Sequence, residues 1–270
     1  LLSWPLLWDE SSHSLEIGPP TKINDFMGNM KTDDQRNYIF VVDVYGQIHV
    51  LNAATNELVH TYKGVFQELS FCKPQSYLTS PDFRRTGDIY VWNTDRHETI
   101  ARLPGKPSVR SSVAFGRDGS RLAVSDPLSI RVHSTDDWSM IWERNKVDGV
   151  GSNFMASVSP DGFHLAMVEA GVKVRLLELE TGRSLAVLES PTDMITDMLF
   201  NSDGSLLAVM GGDLTIHLWD LHVLRQELVA LGMDWDAPPI TPTSDHFSRR
   251  TSPPMSVRLD YGAPGSRPPD

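Results

Sequence analysis

Cysteine is almost missing from this chain: Cys72 is the only one in 270 residues. A lone thiol makes neither an internal disulfide nor a cysteine zinc site, and in Leu69-Ser70-Phe71-Cys72 it reads as a small buried hydrophobe. No apolar run approaches the ~18 residues of a membrane helix, and no signal-peptide pattern opens the chain. Positive charge is short. Lys and Arg number 24 against 35 Asp and Glu, for a net charge of −11, which disfavours nucleic acid as a partner. Glycine-rich phosphate loops, Gly-x-Ser-x-Gly and His-Glu-x-x-His are all absent. With these go the common signatures of nucleotide, esterase and zinc-peptidase chemistry. The expectation is a protein without cofactor, metal or catalytic residues, reading as cytoplasmic.

What is present is a repeat. A short alternating apolar run, a large residue and a polar turn recur with the large residue at Trp8, Leu51, Trp92, His133, Leu177 and Trp219, spaced 41 to 44 residues apart. A second signal keeps the same period: Asp118-Gly119, Asp161-Gly162 and Asp203-Gly204 each separate two alternating runs. Asp-Gly between such runs marks a tight hairpin, because glycine takes the positive φ the turn needs. Each unit therefore reads as four antiparallel strands, which is one propeller blade. A helical solenoid is excluded, since the apolar period is two rather than 3.6.

Trp219-Asp220, Trp8-Asp9 and Trp92-Asn93 make the repeat resemble the WD-repeat family over residues 1 to 232. The resemblance implies an all-β propeller, incomplete here, of about five and a half four-stranded blades. The blades are placed at 26–63, 64–103, 109–144, 150–188 and 192–229, with 1–25 as the end of another. The family's Gly-His pair is absent, and its buried Asp before the third strand survives clearly only as Asp213. The resemblance thus implies that the family's internal hydrogen-bond network is not formed. Residues 221–239, ending Leu231-Gly232-Met233-Asp234-Trp235-Asp236-Ala237-Pro238-Pro239, are similar to the exit of many large bacterial WD-repeat proteins, often kinase-linked. That similarity implies a scaffold serving as the sensor or docking part of a larger signalling protein.

Leu221, Leu224, Leu228 and Leu231 share one face of an expected helix over 221–232, with Gly232 as its stop. The helix either covers the last blade or binds a partner. From 237 to 270, eight prolines read as a disordered tail that offers no closing strand. The chain begins at Leu1, and about one and a half blades, roughly 60 residues at the usual repeat length, are expected to precede it. Upstream blades or domains are thus expected partners, and the chain alone is expected to expose a sheet edge and apolar blade faces.

Scattered polar residues read mainly as structural. His49 and His217 are solvated strand-face histidines, and His133 is a packed residue. Asp136-Asp137 and Asp193 with Asp197 are turn or solvent-facing carboxylates, and Ser159-Pro160 belongs to a turn. Two functions stay open. A protein-interaction scaffold would bind a protein or peptide through rim loops, first the loop of 81–87 with Phe83, Arg84 and Arg85, an aromatic flanked by cations, and second 145–151. A ligand-binding or hydrolytic propeller would need polar residues directed inward from the first strands. Those read as apolar: Leu69-Ser70-Phe71, Val113-Ala114-Phe115, Ala156-Ser157-Val158 and Met198-Leu199-Phe200.

Overall fold

The computed structural model describes residues 2–3, 6–9, 11–12, 14–19, 21–22, 28–32, 37–66, 68–72, 74–82, 86–106, 110–146, 154–170, 172–190, 192, 194–240 and 256–259. Within them, strand order follows chain order in five successive antiparallel sheets. The first blade holds Gly28–Thr32, Tyr38–Asp43, Ile48–Asn52 and Leu58–Tyr62. The second holds Ser70–Cys72, Tyr77–Pro81, Ile89–Asn93 and Glu98–Leu103. The third holds Ser112–Phe115, Arg121–Ser125, Ser129–Ser134 and Met140–Asn145, and the fourth Ala156–Val158, His164–Glu169, Lys173–Glu178 and Ser184–Glu189. The fifth stops at three strands, Ile195–Phe200, Leu206–Gly211 and Ile216–Asp220. The fold is an all-β propeller. Its one departure from five equal blades is that the helix Leu221–Ala230 begins where the fifth blade's outer strand was expected.

The repeat is visible in the backbone. In each four-stranded blade the pairing of third and fourth strands shifts register, at Val50/Leu51, Val91/Trp92, Val132/His133 and Leu176/Leu177. The second residue of each shift is the large residue of the sequence pattern, so that slot is where the bulge re-aims a side chain into the blade interface. Five positions later every one of these hairpins has a left-handed residue: Asn56, His97, Trp138 and Gly182. The Asp-Gly hairpins behave as expected. Gly119, Gly162 and Gly204 have φ of 72°, 71° and 75°, and Asp118, Asp161 and Asp203 each accept an amide two residues on, at 3.0 Å.

Packing runs from blade to blade. Phe40, Ile48 and Tyr62 of the first blade meet Phe66, Leu78 and Trp92 of the second. Val91 and Leu103 meet Val113 and Leu122, and Ile130 and Val132 meet Leu165 and Leu177. Leu176 and Leu188 meet Phe200, Leu207 and Leu221. Each buried aliphatic side chain contributes roughly 2 kcal/mol, so the stack is held by neighbour contacts. Cys72 and His133 are buried in it, as expected.

Two polar expectations need correction. His49 is 8% exposed rather than solvated. Its Nε2 lies 2.9 Å from Asp43 Oδ2 and its Nδ1 3.1 Å from Thr61 Oγ1, so one blade does carry an Asp-His-Thr chain. Burial would raise the Asp43 carboxyl, but the His49 bond and the Gln47 and Tyr45 amides outweigh it and hold it below the ordinary range. Asp213 is exposed, its carboxylate taken by Thr215, because nothing among the described residues covers that side of the fifth blade. The buried carboxylates before a third strand are Asp82 and Asp126. Asp126 accepts the Leu128 and Ser129 amides and pairs with Lys106 at 3.1 Å.

The helix leaves the exposed face of the fifth blade uncovered and packs instead against the core that this blade shares with the fourth. Asp220 caps it by accepting from Val223 N at 2.9 Å. Leu221 and Leu224 pack into the core shared by the fourth and fifth blades, while Leu231 stays 70% exposed. Gly232 stops the helix at φ 69°, and Met233 N returns to Leu228 O at 2.8 Å. The exit motif then closes on Arg225, which is 7% exposed. Its guanidinium forks onto Asp234 at 3.0 and 2.8 Å, donates to the carbonyls of Trp235, Ala237 and Pro238, and lies 5.3 Å from the Trp235 ring centre.

The ends of the chain also differ from expectation. Leu6–Asp9 and Ser14–Ile17 pair as the hairpin anticipated in 1–25. A third strand joins them from the tail: Ser256–Leu259 pairs in parallel with Ser14–Ile17. Val257 and Leu259 alternate with Ser256 and Arg258, and the prolines flank this stretch without entering it. The rest of the supposed disordered tail, 241–255 and 260–270, lies outside the described residues.

Candidate interaction surfaces

Phe83, Arg84 and Arg85 lie outside the described residues, as does most of the second loop. What can be placed is how the first loop is anchored. Asp82 N donates to Asp88 O and Gly87 N to Asp82 O, both at 2.8 Å. Asp88 in turn accepts Arg102 Nε at 2.6 Å and Gly105 N at 3.1 Å. At the second loop, Lys146 reaches Ser125 Oγ at 2.9 Å, and burial pushes its ammonium down to about 8.

On the propeller axis, one cavity of about 370 Å³ is lined from all five blades by Met30, Lys31, Glu68, Arg110, Phe154 and Asp197, among others. The inward wall is therefore mixed: Leu69 lines it as expected, while Lys31, Glu68, Arg110 and Asp197 bring charge that the apolar expectation lacked. Residues quoted for it, such as Val113, Phe115, Met198 and Phe200, pack between blades. For the second to fourth blades the wall comes from residues just before each first strand. Glu68 accepts Ser112 Oγ at 2.9 Å. Burial pushes its carboxyl from 4.5 to about 7, against the pull of Ser112 and Lys31 and with a further rise from Asp197. Asp197 thus belongs to the channel rather than to a pair with Asp193, which is not described.

The third surface is the outer face of the fifth blade. Leu199, Ala208 and Leu218 lie side by side across its strands, as do Asp197, Met210 and Ile216. Leu199, Ile216 and Leu218 are 65%, 66% and 59% exposed, while the opposite face buries Met198, Phe200, Leu207 and Val209. Ile216–Asp220 is also an edge strand. An apolar sheet face with an open edge is a pairing surface that isolated domains avoid. No group of three or more His, Cys, Asp or Glu among the described residues is placed to hold a metal, and no helix there is long and apolar enough to cross a membrane.

Known proteins place the architecture. Over 102 residues the chain is 29% identical to the WD repeat-containing protein VIP3 of Arabidopsis thaliana, an overlap of 35% of this chain and 32% of that protein. The chain is similar to WD-repeat proteins. The match spans about a third of the curated relative. Hydrazine synthase of Kuenenia stuttgartiensis superposes with a TM-score of 0.57 at 17% identity, over 69% of this chain and 56% of that one. That likeness concerns the fold alone. No family model matches the sequence. The WD-repeat likeness agrees with the period that placed Leu51, Trp92, His133 and Leu177 at the recurring bulge.

Proposed function

We propose that this propeller is a non-catalytic protein-interaction scaffold, and that the open face and edge of its fifth blade form the docking surface. The exposed ladder of Leu199, Met210, Ile216 and Leu218 carries this reading. The likeness to WD-repeat proteins supports it, and the exit motif at 231–239 extends it to the docking part of a larger, bacterial kinase-linked signalling protein in the cytoplasm. The partner is a polypeptide that covers the ladder, including further blades or domains of a parent chain. The double variant Ile216→Lys with Leu218→Lys should keep the wild-type melting temperature, because both side chains already face solvent. It should weaken binding to an affinity-captured partner at least tenfold. Equal binding by wild type and variant would sink the assignment.

The charged channel favours a second reading, a ligand-binding or hydrolytic propeller using Glu68. The folded chain holds the Glu68 proton up to about pH 7, whereas the unfolded chain releases it near 4.5. The folded state therefore binds more protons between these values, and Glu68 lowers stability as pH rises through that window. Glu68→Gln should leave the melting temperature unchanged near pH 4.5 and raise it near pH 8. Saturable turnover of an ester or glycoside panel, lost in Glu68→Gln, would displace the scaffold reading.

A further inference from the structure

A cleft between the first and second blades has a chemistry that neither reading uses. It encloses about 280 Å³, and His60, Tyr62, Lys63, Phe66, Asp82, Tyr90 and Trp92 shape it. The aromatic rings form a continuous wall. Tyr62 and Trp92 lie 4.8 Å apart, Phe66 meets Trp92 edge-on at 5.0 Å and Tyr90 at 5.8 Å, and Tyr90 stacks on Trp92 at 5.8 Å.

Against this wall stand two buried polar atoms without hydrogen-bond partners, Asp82 Oδ1 and the Tyr62 hydroxyl. Asp82 is 4% exposed. A buried carboxylate oxygen left unpaired is costly, and native folds keep few of them. The nearby cations do not relieve it. Arg102 feels the charge of Asp82 but gives its Nε to Asp88, and its guanidinium lies 5.4 Å from the Tyr90 ring centre. Lys63 lines the cleft with its side chain exposed.

We propose that this cleft binds a small alkylammonium group, of the size of the end of a lysine side chain, with an N–H donated to Asp82 Oδ1 and its methylenes against the aromatic wall. Each half of the site matches one half of such a ligand. Ring faces attract a cation and shield its carbons, and the carboxylate requires a donor bearing positive charge. Burial pushes the Tyr62 phenol up to about 12, so it stays neutral and supplies a second polar contact. The cleft is separate from the fifth blade and from the channel, so its test is independent of theirs.

The test titrates the whole chain at pH 7 with n-butylammonium, n-butanol and tetramethylammonium, followed by ligand-observed NMR. Saturable n-butylammonium binding is expected, with the neutral alcohol and the donor-free cation each at least about tenfold weaker, the usual worth of a charged hydrogen bond. Asp82→Asn should lose about tenfold in n-butylammonium affinity without a lower melting temperature. Tyr62→Phe serves as the second variant should Asp82→Asn fail to fold. Lys63→Gln tests the internal rival, and tighter binding there means that Lys63 competes for the site. A lysine pentapeptide compared with its norleucine counterpart tells a polypeptide-borne amine from a free one. No saturable binding in either wild type or Lys63→Gln, equal affinity for n-butanol, or affinity unchanged in both Asp82→Asn and Tyr62→Phe would overturn the proposal.

Discussion

Arg225→Ala is expected to cost about 3 kcal/mol of folding stability, near the lower end of what removing one partner of a buried ion pair costs. The loss has three parts. Asp234 loses both of its guanidinium bonds. Carbonyls of Trp235, Ala237 and Pro238 lose their donor, and the Trp235 ring loses the cation beside it. Arg225→Lys should recover less than half, because an ammonium cannot serve a carboxylate as a fork while reaching three carbonyls. Urea denaturation of the three proteins measures this, and a loss under about 1 kcal/mol for the alanine variant would show that Arg225 does not hold the exit segment in place.

Gly105→Ala should be comparably severe. A Cβ at Gly105 would sit 1.6 Å from the Gly87 carbonyl oxygen, and one at Gly87 would sit 2.1 Å from Lys106 O. Both obstacles are backbone, so no rotamer change relieves them. Strands or loops must move apart, breaking the Gly105–Asp88 bond that pins the base of the 82–88 loop. Overpacking of this kind costs about 3 kcal/mol or more. The check is thermal melting against Gly162→Ala, where a Cβ meets nothing within 4 Å and only the positive φ of 71° is penalised. Equal melting of the two variants would refute the close approach.

Much of the architecture was legible because it repeats. One ambiguous strand says little, but six copies of one pattern within a narrow spacing define a blade. The Asp-Gly hairpins were equally readable, since their glycines carry the φ that the turn demands. The other recurring turn was readable as a polar stretch but not at its left-handed position, which is Asn56, His97, Trp138 or Gly182, four residue types with no shared signal. His49 was misread because alternation tells which face of a strand a residue occupies but not what covers that face. The channel wall was misread in part for a related reason. The inner strands were taken to line the axis with apolar side chains, and Leu69 does so, but Glu68 and Arg110, just before those strands, add charge. Arg225 hid among the leucines of a helix whose apolar stripe was read correctly at Leu221 and Leu224 but not at the exposed Leu231, because the burial of Arg225 depends on a carboxylate nine residues later.

The parallel pairing of Ser14–Ile17 with Ser256–Leu259 has a mechanical consequence. A pull on the first strand from its N-terminal side and on the second from its C-terminal side would drag the two in opposite directions along their common axis. The hydrogen bonds between them would then bear the load together in shear instead of opening one after another like a zipper. Once the Leu6–Asp9 strand had peeled from its hairpin, tension applied through the two ends would meet this seam as a clamp, before it reached the blades behind it.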